Sequence, residues 1–164
     1  MSYKTAISRR KLSAPARYLL GQNKIKGLTN YQGLRRAPLV LDYGCGKGGD
    51  SRRLGIAGFD PHYFPWTGRS RDARRRRKTI LCTYVLNVIE SPAERVRLLA
   101  DIYSLLLPGG QAYITVRSDK QNLKGRTKRG TWQGFVELPL PVEHKAAGYT
   151  IYRLEKETNE KTRA

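Results

Sequence analysis

Four glycines, Gly44, Gly46, Gly48 and Gly49, crowd between two aspartates, Asp42 and Asp60, and this is where the residue types could do chemistry. Glycine lets the backbone take positive φ and pass close to a ligand that a β-carbon would push away. Asp50 and Ser51 follow where a helix should start, and the free amides of a helix start attract an anionic ligand group. Asp60 stands 18 residues after Asp42, close to the roughly 20-residue spacing at which nucleotide-binding α/β folds place a ribose-binding carboxylate. The ordinary alternative is a turn aspartate before Pro61. The loop lacks the four-residue gap and the GK[ST] ending of a phosphate-binding P-loop. Gly49 stands where a dinucleotide fingerprint wants its third glycine after Gly44 and Gly46, so the loop by itself leaves a dinucleotide site open.

The elements that must position these residues are short. Leu39, Val40 and Leu41 read as an interior strand entered at Pro38, and Ile56 to Phe59 as a second. Between Asp50 and Gly55 there is room for little more than one helical turn. Ile80 to Thr83 form another central strand, with Tyr84 to Asn87 at its carboxyl end, the edge where open parallel sheets bind ligands. Ser91, Pro92 and Glu94 announce a helix through a capping box, with an apolar face of Val96, Leu99, Ile102, Tyr103 and Leu106. Leu107-Pro108-Gly109-Gly110 stops it before a strand from Gln111 to Val116. Thr131 to Leu138 and Tyr149 to Leu154 are β-prone and suit an antiparallel end of the sheet, while Pro139 and Pro141 forbid a central strand or regular helix between them. Ser13 caps a short helix that Gly21 stops.

Three of these segments, in order, carry a resemblance. DYGCGKGGD after an apolar strand resembles motif I of the class I S-adenosylmethionine-dependent methyltransferases, TILCTYVLNVIE is similar to their motif IV, and LLPGGQAYITV to the segment that follows it. The resemblance covers about Leu39 to Val116. It implies a minimal Rossmann-like α/β methyltransferase fold, its sheet mostly parallel with antiparallel C-terminal strands, its first helix short and its third-strand region reduced. The domain would run over 38–155, after a basic arm at 1–37 and before a charged tail at 156–164. It implies an enzyme with S-adenosylmethionine as cofactor, held by Asp42, Gly44, Cys45, Gly46, Gly48, Asp60, Pro61, Tyr84 and Leu86, with no metal required. One departure is plain: the 19 residues between Asp60 and Ile80 leave no room for the family's third strand and its helices, which usually supply the adenine contact. Pro61, His62 and Tyr63 are the nearest residues to wall the base. The forms of motif IV that fix a base as substrate, with Pro-Pro-Tyr or Pro-Cys, are also missing, since Leu81 precedes Cys82. The catalytic candidates are Tyr84, Asn87 and His62. None is a dedicated base or nucleophile, which favours an acceptor that loses no proton, such as a ring nitrogen.

Charge is the other unusual property: 32 basic residues against 13 acidic give a formal net charge of +19. No acidic residue occurs before Asp42. Arg9, Arg10, Lys11, Arg35 and Arg36 in the arm and Arg74, Arg75, Arg76 and Arg77 in a second cluster are candidates to bind nucleic acid, since such residues release counterions from phosphates. A generally basic, solvated surface is the competing reading. Three functions therefore stand: a methyltransferase acting on or bound to RNA or DNA, a catalytically silent nucleic-acid-binding module of that shape, and a small-molecule methyltransferase. The two cysteines and two histidines give no zinc spacing. No apolar stretch is long enough for a membrane span and no signal-peptide core precedes the domain, so a cytoplasmic protein is expected.

Overall fold

The computed structural model describes residues 9–28, 37–65 and 75–158. Its elements in chain order are α1 (Ala14–Gly21), β1 (Ala37–Tyr43), α2 (Gly49–Leu54), β2 (Ile56–Phe59), β3 (Arg77–Thr83), α3 (Pro92–Leu105), β4 (Leu106–Arg117), β5 (Lys124–Arg126), β6 (Trp132–Gly134), β7 (Val142–Lys145) and β8 (Tyr149–Glu155). Six strands form one sheet in the order β2-β1-β3-β4-β8-β7. The first four are mutually parallel, and β8 and β7 close the far side antiparallel.

Both faces of the sheet are covered, which is why its central strands are apolar on successive residues and not on alternate ones. Leu41, Ile80, Cys82, Ala112 and Ile114 point to the face packed by Ile102 and Leu105 of α3. Val40, Leu81, Tyr113 and Ile151 point to the other, under Leu19 of α1 and Ile25. Within the stretch that the sequence assigns to the basic arm, Ser13, Pro15, Ala16, Leu19 and Ile25 are buried. Burying a leucine such as Leu19 contributes about 1.5–3 kcal/mol, and the α1 segment adds apolar cover that the six-residue α2 is too short to supply.

Local signals set the ends of the helices. Ser13 caps α1 by accepting from the Ala16 amide, and Ser91 caps α3 by accepting from the Glu94 amide. The apolar stripe of α3 differs from the expected one. Ile102 and Leu105 are buried and Leu98 and Leu99 partly so, whereas Val96 is 66% exposed and Tyr103 37%. The stripe 98, 102, 105 follows the helical period and faces the sheet, and the 96, 103 pair, one heptad apart, lies on the solvent side.

Two strands also differ from expectation. β4 begins at Leu106, and its pairing with β3 slips between Arg77↔Leu106 and Thr79↔Gln111, so the Pro-Gly-Gly turn sits as an irregularity inside the strand. The stretch from Thr131 to Leu138 gives the sheet no strand: Trp132–Gly134 pairs with Lys124–Arg126 as a separate ribbon, and Val142–Lys145 takes the edge position beside β8. An edge tolerates the nearby prolines because only one side of the strand needs its amides. Among the described residues β2 is the opposite edge, in keeping with the reduced third-strand region.

Candidate functional site

The parallel register brings four strand ends level. Asp42 in β1 lies opposite Gly58 in β2 and Leu81 in β3, and Thr83 lies opposite Thr115 in β4. Beyond these ends opens a cleft of about 770 Å³, within the range of small-molecule sites. Asp42, Gly44, Cys45, Gly46, Asp60, Pro61, Tyr84 and Asn87 all line it, so most of the cofactor and catalytic candidates meet in one place.

The glycine turn is folded back on β2. The Gly44 and Cys45 amides donate to the Phe59 carbonyl at 2.7 and 2.9 Å, the Gly46 amide donates to Asp60 Oδ2 at 2.9 Å, and the Gly48 amide donates to the Cys45 carbonyl at 2.9 Å. These four amides are in use, so at Gly44, Cys45, Gly46 and Gly48 the turn contributes shape and close approach and not free donors. Gly58 makes the fold-back possible, since a β-carbon there would stand 2.8 Å from Cys45 Sγ and 2.9 Å from Ser51 Oγ. Asp60 Oδ1 accepts from the His62 and Tyr63 amides at 2.9 and 3.0 Å. Asp60 lines the cleft, and with three of the roughly four acceptor positions of its carboxylate occupied, one remains.

Asp42 is buried, and its Oδ2 accepts from Ser51 Oγ at 2.9 Å. Burial, with Asp50 and Asp60 nearby, pushes its carboxyl up to about 7 against the partial relief from Ser51. The Cys45 thiol is pushed up to about 12, first by burial and then by Asp42. Tyr84 follows β3 with φ of +59°, a left-handed conformation that a non-glycine residue adopts at a cost of about 1–2 kcal/mol. Its amide donates to the Thr115 carbonyl at 2.9 Å, and burial raises its phenol above the ordinary value.

Several expectations need correcting. Leu86 is fully buried in the core and does not line the cleft, because the single turn of 3-10 helix over Leu86–Val88 points it inward while Val85, Asn87 and Val88 face the opening. Gly48 ends the turn with φ of +73° as the cap of α2 and is likewise off the cleft, which Gly49 lines instead. His62 is exposed, packs edge-on against Tyr63 at 4.7 Å between ring centres, and is also off the cleft. Arg77 is 1% exposed inside β3 and is no surface contact for nucleic acid. Arg75 and Arg76 are exposed, but at the amino end of β3, since a parallel strand must be entered from the edge opposite the cleft. Arg10 and Lys11 are exposed, whereas Arg35, Arg36 and Arg74 lie outside the described residues.

The cleft also holds residues that the motifs do not mark. Arg9 reaches into it from the segment before α1, its guanidinium 5.2 Å from the centre of the Tyr84 ring. Arg117 and Asp119 pair with each other at the end of β4, a place that the strand-end rule alone would have found. Gln133 arrives from the β5–β6 ribbon and accepts from Asn87 Nδ2 at 3.2 Å, with no signal in the sequence.

No family model matches the chain, and no curated protein matches it in sequence. Solved structures do. One comes from work on the conversion of a disulfide bond into a thioacetal group during echinomycin biosynthesis, with a TM-score of 0.57 at 16% identity over 93% of this chain and 85% of that one. An S-adenosylmethionine-dependent methyltransferase from Mesorhizobium loti aligns with a TM-score of 0.51 at 12% identity, over 86% of this chain and 98% of that one. The fold is that of the class I methyltransferases. The 1,6-didemethyltoxoflavin-N1-methyltransferase of Burkholderia thailandensis, with bound 1,6-didemethyltoxoflavin and S-adenosylhomocysteine, shares it with a TM-score of 0.51 at 16% identity over 93% of this chain and 94% of that one. Within this methyltransferase fold the cleft described above occupies the carboxyl edge of the parallel strands. Among the described residues no helix is long and apolar enough to cross a membrane.

Proposed function

We propose that this chain is an S-adenosylmethionine-dependent methyltransferase acting on a small-molecule acceptor. The observation that carries the reading is the convergence of Asp42, the Gly44–Gly46 turn and Asp60 on one cleft at the carboxyl ends of the parallel strands. The residues present suit the cofactor. Asp60 has an acceptor position left for a ribose hydroxyl, and Phe59, Pro61, Val85 and Leu98 offer apolar surface for a flat base. The repulsion among Asp42, Asp50 and Asp60 is relieved by a ligand that carries positive charge. Similarity to a toxoflavin-precursor N-methyltransferase and to a protein of echinomycin biosynthesis supports a small acceptor.

When bound, the cofactor supplies a methyl group activated by its sulfonium. The chain's own groups then have little proton chemistry to add. The raised Cys45 thiol and Tyr84 phenol both stay protonated at neutral pH, and Asn87 does not titrate. Positioning is what the cleft contributes, which suits an acceptor that loses no proton, such as a ring nitrogen.

Calorimetry with S-adenosylhomocysteine tests the cofactor. Binding is expected, and Asp60→Asn should weaken it about 10-fold through loss of a charge-assisted hydrogen bond. NAD binding with no binding of S-adenosylhomocysteine overturns the reading. Incubation with methyl-labelled cofactor and separate pools of small metabolites, RNA, DNA and protein then identifies the acceptor, and absence of turnover in every pool points to a silent binding module. A second reading, a nucleic-acid acceptor, is favoured by the net charge of +19.

A further inference from the structure

The segment before α1 is strapped across the glycine turn. Ser13 donates from its amide and its hydroxyl to the two carboxylate oxygens of Asp50, at 2.9 and 2.5 Å, and Arg53 Nη2 donates to the Arg9 carbonyl at 2.7 Å. These ties hold the backbone of Arg9 beside Gly49, whose β-carbon, if it had one, would lie 3.9 Å from the Arg9 carbonyl oxygen. The Arg9 side chain enters the cleft over the Tyr84 ring. Among the described residues it has no carboxylate partner, although Asp119, Glu94 and Asp101 line the same cleft. A guanidinium held in a cleft against an aromatic ring retains its donors for a planar anion, which it binds with two parallel hydrogen bonds. On the same cleft stands the buried carboxylate of Asp42. One cation and one anion at the glycine-turn end suit a ligand whose end is an α-amino acid.

We propose that Arg9 binds the α-carboxylate of the cofactor's amino-acid end while Asp42 faces its ammonium group. The inference rests on the methyltransferase reading and adds to it that the arm before α1 is part of the cofactor site. It also moves Arg9 from a nucleic-acid contact to a cofactor contact.

The test compares S-adenosylhomocysteine with 5′-methylthioadenosine, which has the same nucleoside and thioether but no amino-acid end, by calorimetry on the full chain. Wild type should prefer S-adenosylhomocysteine. Arg9→Ala should lower that affinity by about 10- to 100-fold and leave 5′-methylthioadenosine within about 2-fold. Arg9→Lys should recover part of the loss, because it keeps the charge and loses the planar fork. The Arg53 tie is to the Arg9 backbone and survives both substitutions. Asp60→Asn is the control, since it acts on the nucleoside and should weaken both ligands alike. Equal losses for both ligands in Arg9→Ala would mark a structural strap and overturn the inference, as would no loss for either. If wild type binds neither ligand, the cofactor reading itself falls and takes this inference with it.

Discussion

Burial holds the Asp42 carboxyl at about 7 against an ordinary 3.8, and Asp50 and Asp60 add repulsion that the Ser51 hydroxyl only partly offsets. Between those two values the folded chain binds more protons than the unfolded one. Unfolding free energy therefore falls as pH rises from about 4 to about 7 and levels off above, at a total cost on the order of a few kcal/mol. Asp42→Asn keeps an oxygen for the Ser51 hydroxyl and cannot ionise. Chemical denaturation at pH 5 and pH 8 should show a loss of stability in wild type that is smaller in the variant, and equal losses in the two proteins would contradict this account. The same charge that destabilises the empty cleft is available to a cationic ligand, so one residue carries both effects.

At the scale of elements, α1 matters more than its eight residues suggest. It covers one face of the sheet through Leu19, and the segment before it reaches the cleft. Ser13 joins the two roles, since its hydroxyl caps the helix at Ala16 and also donates to Asp50 at the start of α2. Ser13→Ala should cost about 1–2 kcal/mol in chemical denaturation from the lost cap and hydrogen bond. Ser13→Asp separates the two effects. An aspartate caps a helix as well as serine does, but its charge would face the Asp50 carboxylate, so it should be less stable than Ser13→Ala and recover at high salt. A Ser13→Asp protein as stable as wild type would mean that the tie to Asp50 does not hold the arm.

The whole molecule carries a formal net charge of +19, and among the described residues exposed basic side chains stand at both edges of the sheet. Arg10 and Lys11 follow Arg9, which lines the cleft, while Arg75 and Arg76 are at the amino end of β3 on the far edge. A nucleic acid presented to the cleft can touch the first pair and not the second. If nucleic acid is the partner, replacing Arg10 and Lys11 by glutamine should reduce the slope of log affinity against log salt by about 0.7–0.9 per lost phosphate contact. The same change at Arg75 and Arg76 should leave the slope alone. Equal effects at the two edges would indicate non-specific attraction to a basic surface, and a salt-independent affinity would remove the nucleic-acid reading.

Local signals were enough for the α/β class, the compact β1–β2 crossover, both helix caps and the meeting of Asp42, the glycine turn, Asp60, Tyr84 and Asn87, because each depends on neighbours in sequence or on the strand-end rule. Other features depend on contacts between distant segments. Leu86 and Asn87 are adjacent, yet one turn of 3-10 helix buries the first in the core and leaves the second on the cleft. Val96 and Ile102 both fit an apolar periodicity, and packing on the sheet decided which of them is buried. Trp132–Gly134 is β-prone but found its partner in Lys124–Arg126, outside the main sheet, and so delivered Gln133 to Asn87. Arg9 read as one more charge in a basic run. Only the Ser13–Asp50 and Arg53–Arg9 hydrogen bonds, which span 37 and 44 residues, put it in the cleft, and no local pattern encodes contacts of that range.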